Sequence, residues 1–440
     1  MSQFSINPVK RGSSIDGSKT TGRYIAVVKN FQDKKIKNTI ERKTSLRIAS
    51  SNDYNNKKKG FSVQAFNEGA QGLYLQQLGV IVLDGKDAQL MKRIEDDKDI
   101  LVMRPEQKVY ALNNLNPFYM QGYFDAVKHL YEKSLEPSGA TIGASSKTER
   151  TDLALSGAWH LEMTNVLASK YSGKGVNLAV LDTGFDFDHP DFANRSIQSA
   201  FFAEGATSAD DRLGHGTHCA GIAAGPKTSS LGERYGVAFE ANLFVGKVLN
   251  DNGEGTDGSL TEGIEWAISN NCKIISMSLG GSVEVTDPFQ EMYETIARRA
   301  LQHGTIIIAA AGNDSDRPGN IVKPVNSPAN CPSILSVGAI SRDGRIADFS
   351  CGTLDLFSCG SSVDLVAPGV DIRSSYIGPQ NYFVDSGTSM ATPLVSGIAA
   401  LVAEAYPDMP AMEFRNYLTR NAKSLNLSPY DSGCGLVQAI

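Results

Sequence analysis

Short runs made mostly of apolar residues recur through the back of the chain. Leu178–Leu181, Val245–Leu249, Ile274–Met277 and Ile306–Ala311 show no polar alternation worth the name. Such runs predict strands buried on both faces, as in a parallel sheet. Longer apolar stretches open at His215 and at Thr388, the second continuing to Tyr406, and predict helices. Several strands end in a polar residue beside glycine: Asp182-Thr183-Gly184, Ser278-Leu279-Gly280-Gly281 and Gly312-Asn313. A polar side chain there lies at the carboxyl edge of the sheet, where open α/β folds place their chemistry.

The front of the chain has a different pattern. Tyr24–Asn30 reads as a strand, and charged, helix-prone sequence follows to about Arg47. Phe61–Phe66 alternates, Gly72–Leu75 through Val82–Leu83 is strand-like, and Lys86–Glu95 reads as a helix with Ala88, Leu90, Met91 and Ile94 apolar. Ile100–Met103 and Val109–Leu112 close the unit. Strands and helices of this size predict a small sheet with two helices on one face. Behind it, Phe118–Leu135 has a helical pattern and Glu136–Ser146 is turn-rich. The expected division is a flexible stretch at 1–22, an α+β lobe at 23–112, a linker with a helical insertion at 113–152, and a large domain at 153–440.

Charge supports the same division. Residues 1–112 hold 20 Lys and Arg against 12 Asp and Glu, and the remainder holds 22 against 36, for a net −6. A lobe near +8 and a lobe near −14 attract one another.

The candidate chemistry sits at the element boundaries. Ser386-Gly387-Thr388-Ser389-Met390-Ala391-Thr392-Pro393 puts a nucleophilic hydroxyl, Ser389, at a helix N-terminus, beside backbone N–H groups that favour negative charge. Pro393 is tolerated in a first turn. In Gly214-His215-Gly216-Thr217-His218, His215 is the general-base candidate, and His218 on the same helix face is read as structural. Asp182 is the carboxylate that fixes the tautomer of such a base. The Asn313 amide is able to donate to an oxyanion.

The four motifs Asp182-Thr-Gly, His215-Gly-Thr-His, Ala-Gly-Asn313 and Gly-Thr-Ser389-Met-Ala-Thr-Pro, in this order, make residues 153–440 resemble the subtilisin-like serine proteases. The resemblance implies a doubly wound α/β fold with a mostly parallel sheet. It implies a serine endopeptidase in which Ser389 attacks, His215 relays the proton, Asp182 orients His215, and Asn313 with the Ser389 N–H holds the oxyanion. It also implies that Ser278-Leu279-Gly280 on one side and Gly253-Glu254-Gly255 on the other pair with the backbone of a polypeptide substrate. Asp314 takes the pocket-rim place, and with Glu254 and Asp257 it suggests an acidic cleft tolerant of Lys or Arg near the scissile bond. No cofactor is required. Calcium is the ion left open, at Asp191, a position that binds it in many relatives, although the loop 225–236 lacks the Asn-rich pattern that goes with it.

The front lobe resembles, in pattern rather than motif, the propeptides of these proteases. Such a lobe assists folding and then blocks the cleft as an intramolecular inhibitor. Tyr110-Ala111-Leu112 is expected to lie across the active site, with self-cleavage near Leu112–Asn114. A maturation protease dedicated to one precursor and a silent binding scaffold are the alternatives.

Other classes find little support. No phosphate loop, dinucleotide glycine motif or aromatic-interleaved basic patch is present, so nucleic acid is not an expected partner. No uninterrupted run of about eighteen apolar residues suggests a membrane span, and the first thirty residues lack a secretory pattern. The six cysteines, Cys219, Cys272, Cys331, Cys351, Cys359 and Cys434, lack zinc spacing. Cys351 and Cys359 are close enough in sequence to pair. Free thiols and an intracellular location are the expectation.

Overall fold

A computed structural model of the chain describes residues 20–33, 35–54, 60–85, 88–112, 158–354 and 362–440. The expected insertion at 113–152, most of the expected flexible stretch and Cys359 lie outside the described residues.

The front lobe runs β1 (Thr20–Val28), α1 (Ile36–Thr44), β2 (Ile48–Ser50), α2 (Phe61–Asn67), β3 (Gly72–Leu75), β4 (Val80–Leu83), α3 (Ala88–Glu95) and β5 (Ile100–Ala111). Its strands lie in the order β5–β1–β4–β3–β2. Alternate positions of β1 face opposite ways, as the two-residue period of a strand requires. Ala26 and Val28 join Ile36, Ile40, Met91 and Ile94 of α1 and α3 in a core private to the lobe. Ile25 and Val27 instead join a core that contains Leu260 and Ile264 from the back of the chain. Two helices therefore cover one face of the sheet, and the rest of the protein covers the other.

Three readings of this lobe change. The first strand starts at Thr20 rather than after residue 22, and the two closing segments are one continuous strand, β5. The alternating Phe61–Phe66 is helix, not strand. Phe61 and Ala65, four apart, are both fully buried, and Phe61 packs edge-on against Phe202 with ring centroids 5.5 Å apart. The local sequence offers no cap, since Gly60 precedes the helix. The Glu262 carboxylate, from the back of the chain, accepts the Ser62 N–H at 3.1 Å.

The large domain runs α4 (Trp159–Met163), β6 (Asn177–Asp182), β7 (Gln198–Phe201), α5 (His215–Ala224), β8 (Asn242–Lys247), β9 (Glu254–Thr256), α6 (Asp257–Ser269), β10 (Ile274–Met277), β11 (Leu279–Gly280), α7 (Glu291–Gln302), β12 (Ile306–Ala310), β13 (Leu335–Ile340), β14 (Leu365–Pro368), β15 (Ile372–Ser375), β16 (Tyr382–Asp385), α8 (Thr388–Ala405) and α9 (Ala411–Arg420). Seven strands form one sheet in the order β14–β13–β12–β10–β6–β8–β7. Every pairing in it is parallel. A parallel sheet needs cover on both faces. In β6, Leu178 and Val180 face the core containing α8, while Ala179 and Leu181 face the one containing α6 and α7. The fold is the doubly wound α/β arrangement expected.

The order of strands places the site. From β6 the chain moves toward β7 and β8, and from β10 it moves toward β12, β13 and β14. Neighbouring strands whose connections diverge leave a crevice at their carboxyl ends. Asp182 ends β6 and Ser278 follows β10 beside this crevice.

Helix α8 is long and apolar enough to cross a bilayer by length and composition, which reading for uninterrupted apolar runs had missed. Its positions from Thr388 to Ala403 are all buried, so it is the central helix of the packed domain. A glycine lets it pass close to α5. A Cβ added at Gly397 would lie 2.5 Å from Val237 Cβ and 2.7 Å from the Ala223 carbonyl. Gly397→Ala gains about 1 kcal/mol of helix propensity but meets an overpacking cost of roughly 1–3 kcal/mol. Thermal unfolding in a Ser389→Ala background is expected to show a lowered Tm. A raised Tm would show that the helices separate freely.

Candidate active site

Asp182 is carried to the crevice by β6, and His215 by the first residue of α5. Asp182 Oδ1 lies 2.7 Å from His215 Nδ1 and also accepts the Thr183 N–H at 2.7 Å. Both side chains are buried. Burial works against a charged imidazole, but the Asp182 carboxylate outweighs it and holds the His215 pKa well above 6.5. With Nδ1 on Asp182, Nε2 is the nitrogen left for a proton relay.

Two glycines make the approach workable. Gly214 adopts φ +96°, and a Cβ there would sit 2.4 Å from the Tyr376 ring. A Cβ at Gly216 would lie 2.3 Å from the Gly184 carbonyl, so α5 rests directly on the turn that follows Asp182. Sequence reading missed the residue that fixes this helix. Asp211 accepts from Thr183 Oγ1, Leu213 N–H and Gly214 N–H with Oδ1, and from the N–H and Oγ1 of Thr217 with Oδ2. An acid shortly ahead of a helix start was the available signal.

Ser389 is the second residue of α8 and is buried, with Oγ 2.8 Å from the carbonyl oxygen of Leu112. Asn313 Nδ2 donates to the same oxygen at 2.8 Å. Thr388 sets the angle of that amide: its N–H and Oγ1 donate to Asn313 Oδ1 at 2.9 and 2.8 Å. The oxygen of the amide is thereby occupied, and its NH₂ faces Leu112. Thr388 lay within the motif, but nothing in the sequence indicated this task.

Residues 108–112 lie as a strand between the two expected cleft edges. Lys108, Val109 and Tyr110 pair antiparallel with Thr256, Gly255 and Glu254 of β9. Tyr110 and Ala111 pair antiparallel with Gly280 and Leu279 of β11. The Ala111 N–H donates to the Gly253 carbonyl at 2.9 Å, and the Leu112 N–H reaches the Ser278 carbonyl at 3.4 Å. Ser278 Oγ itself donates to the Ser389 carbonyl at 2.9 Å.

The remaining candidates sort as follows. His218 is fully buried, with Nε2 3.1 Å from the Phe383 carbonyl, and burial lowers its pKa. Cys219 Sγ lies 4.0 Å from both ring nitrogens of His215, and burial pushes its pKa up, so the thiol is neutral and adds no charge. Asp182, His215 and Cys219 form the one cluster with metal-ligand spacing among the described residues. Its acid and imidazole already bond each other. Asp314 Oδ2 accepts from Ser282 Oγ and Asn326 Nδ2, at 2.9 and 2.8 Å. With the front lobe in place, Asp257 is not an open acid of the outer cleft. It is buried under the front lobe, where it pairs with Arg104 and accepts from the Gln107 N–H at 2.7 Å and Tyr293 Oη at 2.6 Å.

Asp191 does not fit a calcium ligand. Oδ1 accepts from the N–H and Oγ of Ser230, at 2.8 and 2.7 Å, and Oδ2 accepts from Tyr235 Oη and Tyr382 Oη, both at 2.9 Å. Four donors fill the carboxylate's lone-pair positions, whereas calcium needs free oxygens, six to eight of them in all. Burial opposes the charge on Asp191, yet these donors lower its pKa. Asp191→Ala strands two tyrosine hydroxyls and is expected to cost about 2–4 kcal/mol. Denaturant melts should give the same loss with calcium and with a chelator. A loss confined to calcium-containing buffer would restore a metal to this site.

Residues 173–436 match the model described as the subtilase family. The thermostable alkaline protease of Halalkalibacterium halodurans is 40% identical over 267 residues, covering 61% of this chain and 67% of that protein. Subtilisin E of Bacillus subtilis is 39% identical over 61% of this chain and 65% of its own length, so the match spans about two thirds of such relatives. M-protease of Shouchella clausii is 32% identical over 358 residues, 80% of this chain and 87% of its own. Among solved structures, sphericase superposes with a TM-score of 0.56 at 32% identity, covering 64% of this chain and 98% of that one. With the family model spanning more than half of its length, the chain belongs to the subtilase family.

Proposed function

We propose that the protein is a serine endopeptidase made as a self-inhibited, self-cleaving zymogen, with Asp182, His215 and Ser389 as its triad. The observation that carries this reading is the Leu112 carbonyl oxygen, held at 2.8 Å by both Asn313 Nδ2 and Ser389 Oγ. An amide donor on one carbonyl oxygen, with a nucleophilic hydroxyl in contact with the same carbonyl group, is an arrangement suited to acyl transfer. The length of the M-protease match adds support, since 358 residues exceed the large domain and take in part of the front lobe.

In this reading Ser389 Oγ attacks the Leu112 carbonyl carbon while its proton passes to His215 Nε2. The oxyanion forms against Asn313 Nδ2 and the Ser389 N–H at the N-terminus of α8. Asp182 stabilises the imidazolium. His215 returns the proton to the nitrogen of Asn113 as the Leu112–Asn113 bond breaks. Water, deprotonated by His215, then releases the Leu112 carboxylate and regenerates Ser389. Other polypeptides enter the same gap between β9 and β11 once residues 108–112 leave, bound mainly through their backbone. The residue whose carbonyl group is attacked is Leu112, within the expected self-cleavage stretch Leu112–Asn114.

Mass spectrometry of the purified chain is expected to find a front fragment ending at Leu112, and Ser389→Ala is expected to stay whole. A Ser389→Ala chain cut at Leu112 would show that another group does the chemistry. Asn313→Ala should lower kcat by about 10²–10³-fold, the size known for the oxyanion donor of subtilisin.

The pH profile follows from His215. The base works as neutral imidazole, and its pKa is raised, so activity is lost as pH falls through a value above 6.5 and is retained on the alkaline side. Initial rates on a peptide substrate should rise as a single protonation curve. Asp182→Asn should move that curve to lower pH and reduce kcat by roughly 10⁴-fold, the effect known for a trypsin-type triad. A profile level down to pH 5 would contradict the assignment.

A further inference from the structure

Lys247, the last residue of β8, is a buried charge outside the triad and the oxyanion site. It is 2% exposed. An ammonium taken out of water is costly unless it is paired and hydrogen-bonded, so its partners are informative.

Its place follows from the sheet. β6 and β8 run parallel, and Asp182 and Lys247 are partners in their register. Leu178 and Val180 of β6, and Leu243 and Val245 of β8, all face the core that contains α8. By the two-residue period of a strand, Asp182 and Lys247 continue that same face. A carboxylate and an ammonium thus end two neighbouring strands side by side. Lys247 Nζ donates to the carbonyl of Thr183, the residue after the acid, and to Asp251 Oδ1 at 2.7 Å.

Asp251 belongs to the turn 250–253 that leads into β9. There the Gly253 N–H donates to the Asn250 carbonyl at 3.0 Å, and Asn250 Oδ1 accepts the N–H groups of Asn252 and Glu254 at 2.9 and 3.0 Å. The Gly253 carbonyl is the one that receives the Ala111 N–H at the cleft edge. One ammonium therefore joins the turn behind the acid to the loop that offers a carbonyl to the bound chain. The Asp251 side chain is 54% exposed, beside a cavity of about 200 Å³ that Glu204, Asp210 and Arg212 also line.

We propose that Lys247 is a positioning residue for peptide hydrolysis: with Asp251 it ties the Asp182 turn to the Gly253 edge, so that the base and the chain to be cut keep a fixed spacing. The inference rests on the triad reading. The charge of Lys247 also acts on the dyad. A cation near Asp182 and His215 opposes uptake of the proton that disables the base, whichever of the two holds it. The other titratable groups around the dyad are Asp211, bonded to Thr183 and Gly214, with His218 and Cys219 on α5 itself. The base works as neutral imidazole and its pKa is already raised. Removing the cation raises it further, so activity fails at a higher pH; removing the charge of Asp251 does the reverse.

The test uses the full chain, allowed to cut itself, with active sites counted by a fluorophosphonate and initial rates on a peptide substrate followed against pH. Lys247→Met keeps most of the stem and loses the charge. It is expected to lower kcat about tenfold and raise KM severalfold, short of the roughly 10²-fold loss that a full ångström of misplacement brings. Its acid limb should move up by roughly 0.5–1 pH unit. Asp251→Asn should raise KM by a similar factor, change kcat less, and move the limb slightly down, since its carboxylate is half in solvent. The double variant should show the KM of Lys247→Met alone, because the tie is already broken. Should Lys247→Met fail to fold, Asp251→Asn carries the test, and a KM and acid limb equal to the parent's overturn the proposal. A folded Lys247→Met that melts lower but keeps the parent's kcat, KM and acid limb has lost only a structural lysine, and overturns it too. A parent whose Ser389 takes up no fluorophosphonate overturns the triad reading instead, so the two failures are told apart.

Discussion

The cleft of this protein is bounded by two short strand edges that cannot satisfy themselves. Glu254–Thr256 and Leu279–Gly280 turn their backbone donors and acceptors toward a gap one strand wide. An edge of this kind is a template for pairing. In the closed chain the template is filled by β5, which leaves the front lobe as an edge-paired strand and ends with its last described carbonyl between Asn313 and Ser389. The same pairing that fills the cleft therefore sets the register of the Leu112 carbonyl against Asn313 and Ser389. One residue of slip would carry Leu112 away from both donors and turn its side chain to the opposite face.

The attraction between a basic lobe and an acidic domain explains only part of the seam. Arg104 does reach across to Asp257, in the direction the net charges suggest. Glu106 runs the other way: it is buried on the front lobe, pairs with Arg23 at 2.6 Å, and accepts the Gly258 N–H at 2.9 Å in the first turn of α6. Arg299 of the large domain likewise points at carbonyls of the basic lobe. Long-range charge favours encounter, while orientation is fixed by individual groups matched to backbone dipoles. Glu262 illustrates the exchange. Its carboxylate begins a helix that its own segment leaves uncapped.

Much of the large domain was legible because its signals are local. An unbroken apolar run means a doubly buried strand, and a polar residue at its end means the crevice; Asp182 and Asn313 were found this way. Ser389 and His215 announce themselves through the small residues that crowding demands. What the sequence hid depends on contacts made across the chain. Phe61–Phe66 has an alternation that suits a strand, and only the burial of Phe61 and Ala65 on α6 with the Glu262 cap decides for helix. Asp191 looks like a metal ligand until Tyr235 and Tyr382, one of them far along the chain, are seen to occupy it. Asp257 looks like a cleft acid until Arg104 covers it. In each case the deciding group lies beyond the window in which periodicity or a motif can be read.

The central claim is that the bond after Leu112 already lies in the cleft of its own chain. The most direct measurement is the rate of self-cutting as a function of protein concentration. If the segment is seated as described, the cut is intramolecular, and its first-order rate constant stays the same across a hundredfold dilution. A rate that falls in proportion to concentration would mean that one molecule cuts another, and would contradict the account.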